Sequence, residues 1–264
     1  MELAGKTALL TGATGGLGQA IARALADRGA TLVLSSRNAG SLTDLAASLP
    51  GEHRIVAADL ADGAAAERLA EEAGDPECLV ANAALPAGGR LERFSQEDLT
   101  LALRVNLEAP LKLARALVPA MRERGSGHLV FISSLQGKVA FANSSVYTAT
   151  KFGLRGFALA LRDELWGSGV GVSVILPGFI REAGMFAASG ASAPAGLGTS
   201  SPGEVGEGVV GAILGDRAEV QVAPLLQRLG AGFAHRHPQI ASRITRRNAA
   251  RIAERVSEGQ EGRP

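Results

Sequence analysis

The feature that most constrains the fold is a regular alternation of short aliphatic runs with longer segments rich in Ala, Leu, Arg and Glu. The aliphatic runs lie at residues 7–10, 31–34, 54–57, 77–81, 128–132, 170–176 and 219–222. Apolar runs of this length are typical of strands buried on both faces, and the segments between them are long enough for helices. The sequence therefore predicts an α/β fold, a doubly wound parallel sheet of about seven strands with helices on both faces.

The composition fits one domain of this kind. The chain has 264 residues, of which 46% are hydrophobic and 20% charged, with no long uncharged apolar run that would predict a transmembrane helix. Cys78 is the only cysteine, which excludes intrachain disulfides and cysteine-based metal cages. Because the first residues show no charged-then-apolar leader, we expect a cytoplasmic protein.

Three regions follow from the pattern along the chain. Residues 1–225 are predicted to form a dinucleotide-binding and catalytic domain, a single-domain Rossmann fold. Within it, residues 183–202 are dense in Gly, Ala, Ser and Pro and are interpreted as a substrate loop. Residues 226–264 form an Arg-rich extension that is predicted to be helical.

A glycine-rich turn directly follows the first strand. Residues 11–18 read Thr-Gly-Ala-Thr-Gly-Gly-Leu-Gly and precede an Ala-rich helical segment, the order that aims backbone N–H groups and a helix N-terminus at a pyrophosphate. Gly12 allows the tight turn, Gly16 lets backbone approach phosphate, and Gly18 lets the helix pack on the strand. Glycines 12, 15 and 18 fit a second dinucleotide pattern equally well. Thr14 and Leu17 complete the predicted turn contacts.

The end of the second strand bears on the choice of cofactor. An NAD-preferring site usually places an acid here, on the ribose 2′-hydroxyl, but this chain has Ser36 and Arg37. A guanidinium suits a 2′-phosphate, so NADP(H) is favoured and NAD(H) is possible. Asp59, after the third strand and next to Leu60, either accepts a hydrogen bond from the adenine amino group or caps a helix.

Tyr147 and Lys151 stand four residues apart on one predicted helix face, about 6 Å apart at Cβ. A tyrosine begins near a pKa of about 10, and lowering it to about 7 takes on the order of 4 kcal/mol. We expect Lys151 and a nicotinamide cation to supply much of this, which would make Tyr147 a general acid/base. Ser134, thirteen residues before Tyr147, follows a buried strand and is placed to bond a substrate oxygen. Asn106, between apolar neighbours, needs a backbone or water partner.

Taken together, these motifs resemble the short single-domain branch of the short-chain dehydrogenase/reductase family. The motifs that carry the resemblance occur in the family's order over about residues 6 to 180, and they are the glycine run, Ala81-Asn-Ala-Ala84, Asn106, Ile132-Ser-Ser134, Tyr147 with Lys151, and Pro177-Gly178. The resemblance implies hydride transfer between nicotinamide and an alcohol or carbonyl, and a homodimer or homotetramer.

The resemblance also implies roles for individual residues. Tyr147 would move the proton, Ser134 would steady the substrate oxygen, Lys151 would hold the nicotinamide ribose and lower the tyrosine pKa, and Asn106 would anchor a relay water. Ser134 is preferred to Ser133, which is expected to face the core. Further cofactor contacts are assigned to Asp59, Leu60, Asn82, Ala83, Tyr147, Lys151, Pro177, Gly178 and Ile180.

The chain departs from the family pattern in three places. Ala81-Asn-Ala-Ala84 stands where Asn-Asn-Ala-Gly is common, and Phe179-Ile-Arg-Glu182 follows Pro177-Gly178 where a Thr is frequent. The usual Thr contact to the nicotinamide carboxamide would then come from backbone or from Ile180. The glycine turn also lacks the basic residue of many NADP(H)-preferring members, which weakens the prediction of NADP(H).

The sequence also bears on partners other than a dinucleotide. The four histidines have no metal-ligand spacing, so no metal is expected. Residues 239–256 fit an amphipathic helix with interleaved arginines, for which a cover over the substrate pocket or a neighbouring subunit is favoured, peripheral membrane contact is possible and nucleic acid is not expected. Met185, Phe186 and Leu197 suggest a small, apolar alcohol or carbonyl substrate. A nucleotide-sugar epimerase or dehydratase and a non-catalytic dinucleotide-binding regulator remain alternatives.

Overall fold

The computed structural model describes residues 1–182 and 196–243. Its strands are β1 (Thr7–Thr11), β2 (Thr31–Ser36), β3 (Arg54–Ala57), β4 (Cys78–Ala81), β5 (Gly127–Ile132), β6 (Val170–Pro177) and β7 (Glu219–Val222). Its helices in the described ranges are α1 (Gly16–Ala26), α2 (Ala39–Ser48), α3 (Ala65–Ala73), α4 (Gln96–Leu103), α5 (Ala109–Arg124), α6 (Ser145–Glu164), α7 (Pro202–Leu214) and α8 (Leu225–Arg236).

The strands form one sheet in the order β3-β2-β1-β4-β5-β6-β7, and every pairing in it is parallel. The predicted doubly wound parallel sheet of seven strands is confirmed. The chain moves outward from β1 in one direction through β3 and then returns to build the sheet in the other direction. The switch point therefore lies between the carboxyl ends of β1 and β4, where ligands of open α/β sheets bind.

Alternate side chains of the buried strands pack into two hydrophobic cores, one on each face of the sheet. Leu9 and Phe131 pack with α3, α5 and α6 on one face. Leu10 and Leu32 pack with α1, α2 and α7 on the other face. Burial on both faces explains why the strands read as continuous apolar runs in the sequence.

Local sequence signals fix several helix ends. The Asn38 side chain accepts from the Ser41 backbone N–H at 2.9 Å at the start of α2. Ser95 and Asp98 form a reciprocal capping box at the start of α4, and Gly125 ends α5 in a left-handed conformation. The segment around Asn106 is not regular α-helix, because a π-helical segment, Arg104–Glu108, joins α4 to α5.

Parts of two predictions lie outside the described residues. They are residues 183–195 of the substrate loop, with Met185 and Phe186, and the tail from residue 244 onward. Of the tail helix expected at 239–256, residues up to 243 are described, and they are helical. Among the helices of the described ranges, none combines the length and the apolar character needed to cross a membrane.

Candidate active site

The glycine turn lies at the switch point and is held by close backbone contacts. Gly12 has φ +64°, and a Cβ there would lie 2.8 Å from the Ala83 Cα. A Cβ on Gly18 would lie 2.1 Å from the Gly12 carbonyl oxygen, whereas one on Gly15 would meet the same oxygen at 3.4 Å, an ordinary contact. Gly12 and Gly18 are therefore required by packing, and Gly16 is the exposed first residue of α1.

Two side chains tie this turn to the end of β4. The Thr11 hydroxyl accepts from the backbone N–H groups of Asn82 and Ala83, each at 3.1 Å. The Asn82 amide donates to the Thr11 and Gly12 carbonyls at 3.1 and 3.0 Å. Asn82 thus serves the turn itself. Sequence analysis missed Thr11, because a Thr at the end of a strand carries no special signal.

The N-terminus of α1 fits a phosphate group. Gly15 is the N-cap residue, and no side chain bonds to the N–H groups of the first turn as a cap. Thr14 and Leu17 are half-buried on either side of the exposed glycines. Backbone donors, a helix N-terminus and room left by missing Cβ atoms are the features that a pyrophosphate requires.

The end of β2 presents the residues expected near the adenosine ribose. Within the described chain, the Ser36 hydroxyl oxygen is buried without a hydrogen-bond partner, while Arg37 is exposed beside it. Such an orphaned polar atom at a ligand edge fits a group supplied by a cofactor. One Asp59 carboxylate oxygen accepts from the Ala61 N–H at 3.0 Å, so this side chain already holds a turn, and Leu60 is buried.

Tyr147 and Ser134 meet at the carboxyl end of β5. The Ser134 hydroxyl is near enough to the Tyr147 phenol to lower its pKa, and Ser134 Oγ donates to the Pro177 carbonyl oxygen at the end of β6 at 3.5 Å. The Gln136 N–H donates to Ser134 Oγ at 3.1 Å, which fixes the hydroxyl in place. The Gln136 side-chain oxygen, Oε1, accepts from the hydroxyls of Ser144 and Thr148, which flank Tyr147, at 2.7 and 3.1 Å.

Lys151 lies beneath the tyrosine ring. Its ammonium group is 5.5 Å from the centre of the Tyr147 ring and donates to the Ile132 carbonyl at 2.9 Å. Ser133 is buried and donates to the Lys151 carbonyl at 2.8 Å, so the expectation that it faces the core is confirmed. A Cβ on Gly137 would lie 2.7 Å from Ser133 Oγ, so this glycine lets the strand end and α6 pack closely.

The expected fall in the tyrosine pKa is not present in the protein alone. Burial raises the pKa of Tyr147 to about 12, and the hydrogen bond with Ser134 offsets only part of that rise. Burial also lowers the pKa of Lys151 to about 8. Sequence spacing placed the two groups correctly but did not account for desolvation, which disfavours the charged form of each.

Asn106 lies inside the π-helical segment and is buried. Its side-chain oxygen accepts from the Leu85 N–H at 2.6 Å, and its amide donates to the Leu85 carbonyl at 2.9 Å. The backbone partner that a buried Asn requires is therefore Leu85, in the loop after β4. The backbone of Tyr147 approaches the same loop, because its N–H donates to the Ala87 carbonyl at 3.2 Å.

Gln227 of α8 organises the end of β6, and sequence analysis did not identify it. This buried side chain accepts from the Phe179 N–H at 3.2 Å and donates to the Leu197 and Gly198 carbonyls at 3.2 and 2.8 Å. A Cβ on Gly178 would lie 2.2 Å from its oxygen. Ile180 is buried nearby and bridges to Ser200. A glutamine in a helical segment gives no signal of such a distant contact.

The described geometry thus brings Ser134, Tyr147 and Lys151 together beside the end of β6, and Asn106 behind the loop that follows β4. Ser36, Arg37 and Asp59 lie at the ends of β2 and β3, on the other side of the glycine turn. In the described ranges, no three His, Cys, Asp or Glu side chains gather as ligands for a metal ion.

Comparisons with known proteins agree with this arrangement. The family model described as short chain dehydrogenase matches residues 6–193. The chain is 39% identical to ketoacyl reductase HetN of Nostoc sp. over 227 residues, which cover 83% of this chain and 79% of HetN. It is 33% identical to the 3-oxoacyl-[acyl-carrier-protein] reductase FabG of Rickettsia conorii over 181 residues, 69% of this chain and 75% of that protein.

A solved structure adds a cofactor to the comparison. A metagenomic short-chain oxidoreductase, crystallised in complex with NADP, superposes with a TM-score of 0.71 at 32% identity. The match covers 85% of this chain and 99% of that one.

Proposed function

Because this chain belongs to the short-chain dehydrogenase/reductase family, we propose that it reduces a carbonyl group on a small apolar substrate at the expense of NADPH, with Tyr147 as the acid. Membership makes the protein an NAD(P)-dependent oxidoreductase. The observation that carries the finer proposal is the position of the Lys151 ammonium group, 5.5 Å from the centre of the Tyr147 ring and bonded to the Ile132 carbonyl at the end of β5, where Ser134 also lies.

The chain's own residues move the proton and hold the substrate oxygen. Ser134 and Tyr147 both bond the carbonyl oxygen, and Tyr147 transfers its proton to that oxygen as the carbon accepts a hydride, which yields the alcohol and a tyrosine phenolate. Lys151 stabilises the phenolate, since its ammonium group lies under the ring. Asn106 fixes Leu85 and anchors the water that returns a proton.

The dinucleotide fits the residues at the glycine turn. Gly12, Gly16 and Gly18, with Thr14 and Leu17, would hold the pyrophosphate at the open N-terminus of α1. When bound, the nicotinamide supplies the hydride, and its oxidised ring carries a positive charge. That charge adds to the charge of Lys151, and together they would lower the pKa of Tyr147 from about 12.

The preference for NADP(H) rests on the end of β2. Arg37 offers an exposed guanidinium and Ser36 a buried hydroxyl with no partner in the described chain, which suit a 2′-phosphate and a ribose. The NADP in the metagenomic relative supports the same choice. Replacing Arg37 with Ala is expected to raise the KM for NADPH about tenfold and to leave the KM for NADH nearly unchanged. Equal changes for both cofactors would contradict this assignment.

The first substrate to test is an oxoacyl thioester. Two relatives are named as ketoacyl and 3-oxoacyl reductases, and the substrate loop was predicted to supply apolar residues. A panel of oxoacyl thioesters and simple ketones, monitored by nicotinamide absorbance, decides between an acyl and a non-acyl substrate. We also propose that the enzyme is a homodimer or homotetramer, which light scattering tests. Cytoplasmic residence stays a prediction.

The role of Tyr147 has a direct spectroscopic test, because Tyr147 is the only tyrosine of the chain. Phenolate absorbance therefore reports this group alone. The free protein is expected to show almost no phenolate at pH values near 10, and addition of oxidised NADP is expected to shift the titration to lower pH. Tyr147→Phe should lower kcat by at least about a thousandfold while NADPH still binds. Turnover that survives this substitution would overturn the proposal.

A further inference from the structure

Helix α8 exposes a continuous apolar surface. Leu225, Leu226, Leu229 and Phe233 recur at helical spacing and are 66%, 55%, 60% and 44% exposed, and we call these four residues the α8 apolar stripe. The opposite face of the helix is buried through Gln227 and Ala231. The helix is therefore anchored to the domain on one side and presents large apolar side chains to solvent on the other.

Along the sequence, the charged residues next to the stripe have a single sign. Between residues 220 and 253 the chain contains no Asp or Glu, and its arginines are Arg228, Arg236, Arg243, Arg246, Arg247 and Arg251. The first three belong to the described chain and are exposed, as are His235 and His237. Ile240, in the helical residues that follow α8, is a further exposed apolar side chain, 50% accessible.

This combination discriminates among the surfaces that could cover the stripe. A second copy of the stripe would bring arginines against arginines, and residues 244–264 of the same chain, with five Arg and three Glu, also carry net positive charge. An anionic bilayer surface satisfies both properties, because its headgroups attract the arginines and its acyl boundary accepts the leucines and the phenylalanine. We propose that the α8 apolar stripe docks the protein peripherally on an anionic lipid bilayer.

The stripe lies next to the substrate side of the candidate active site. Gln227, on the buried face of α8, contacts the backbone of Phe179 directly after β6 and of Leu197 and Gly198. Docking would therefore place the end of β6 close to the lipid surface. This consequence rests on the proposed function, because an enzyme that acts on an apolar acyl substrate would take up that substrate from the membrane. The docking itself does not depend on activity.

Vesicle flotation of the full chain tests the proposal. Vesicles of phosphatidylcholine alone are compared with vesicles that also contain phosphatidylglycerol, at low and at high salt. Binding is expected to the anionic vesicles, with a loss at high salt because the headgroup attraction is screened. The double variant Leu226→Ser with Leu229→Ser is expected to bind at least about tenfold more weakly, since it removes apolar area that inserts into the bilayer.

Two control variants separate docking from other effects. Trp166→Ser removes a large apolar side chain that lies outside the stripe and is, at 85% accessible, the most exposed in the described ranges, and it should bind as the parent does. Tyr147→Phe should also bind normally, so a failure of the redox proposal would leave the docking result intact.

Several outcomes would overturn the docking proposal. One is the absence of binding to anionic vesicles, and another is equal binding to neutral vesicles. A third is a stripe variant that changes the oligomeric state without changing vesicle binding, which would show that the stripe is a contact between copies of the chain. Binding that appears only after removal of residues 244–264 would show that the chain covers its own stripe.

Discussion

The glycine turn and the end of β6 lie on the same carboxyl edge of one sheet, but they are stabilised in opposite ways. The turn is held locally, by backbone contacts at Gly12 and Gly18 that leave no room for a Cβ and by the adjacent side chains of Thr11 and Asn82. The end of β6 is held by one buried side chain, Gln227, which arrives from a helix beyond the last strand. The first region tolerates no added atom at Gly12 or Gly18, whereas the second depends on a particular set of donors and acceptors.

This difference indicates which region of such an enzyme must stay the same and which region can change. Steric constraints at the turn fit a pyrophosphate, which is the same in every dinucleotide. Hydrogen bonds from a distant helix can be changed without disturbing the sheet, and they position the segment that leads to the substrate loop. Substitutions at the turn should therefore act mainly on pyrophosphate binding, and substitutions at the end of β6 mainly on the substrate and on the nicotinamide end of the cofactor.

The largest effect is expected at Gly18. In Gly18→Ala the new Cβ would stand 2.1 Å from the Gly12 carbonyl oxygen, so the turn must open or the helix must move. We expect NADPH affinity to fall at least about a hundredfold and the melting temperature to fall clearly. Fluorescence titration and thermal unfolding measure the two quantities.

Gly15→Ala is the matched control for that substitution. Gly15 has φ −70°, and its Cβ would meet the same oxygen at 3.4 Å, so affinity should change little. If both alanine variants behaved alike, the steric account of the turn would be wrong.

A change in the sheet beneath both regions should affect them together. His128 of β5 is buried, its Nε2 lies 2.8 Å from Ser173 Oγ, and burial lowers its pKa to about 4. As pH falls below about 6.5, the unfolded chain takes up the proton before the folded chain does. The free energy of unfolding therefore falls, by about 3 kcal/mol at pH 4.

Denaturant unfolding between pH 7 and pH 4 checks this prediction. His128→Gln should remove the histidine part of the acid sensitivity, and the exposed His235→Gln should not. NADPH binding and substrate turnover should decline in parallel with unfolding. A loss of one activity well before the other would mean that the two regions do not rest on a common sheet.

Most of the fold could be predicted from the sequence, because strands buried on both faces must be apolar throughout. The strands at Arg54–Ala57 and Glu219–Val222 have the predicted bounds, and the others differ by only one or two residues. The fold determines where the switch point lies, and the glycine turn could be recognised from its position between a strand and a helix.

Parts of the candidate site could not be predicted, because they depend on contacts far apart in sequence or on burial. Spacing placed Lys151 near Tyr147, but only the structure shows that the ammonium bonds the Ile132 carbonyl and that desolvation raises the tyrosine pKa. The π-helical setting of Asn106 and the contacts of Gln227 depend on three-dimensional packing, which no local pattern encodes.

The smallest of these effects is expected at Gln227, and it tests the comparison most closely. Gln227→Leu keeps most of the volume but leaves the Phe179 N–H and the Leu197 and Gly198 carbonyls without this partner. Buried groups that lose a hydrogen bond cost about 1 to 3 kcal/mol each when nothing replaces it, and relaxation next to the loop reduces that cost. We expect kcat/KM for the carbonyl substrate to fall about tenfold, mainly through KM, and NADPH affinity to stay within about twofold.

Two further variants decide whether the hydrogen bonds of Gln227 are responsible. Gln227→Glu retains an acceptor for Phe179 but cannot donate when ionised, so it should recover only part of the loss. Gln239→Leu, an exposed glutamine in the helical residues after α8, should change neither constant. If NADPH affinity fell as far as kcat/KM in Gln227→Leu, the end of β6 would hold the nicotinamide as firmly as the substrate, and the proposed division between the two regions would be wrong.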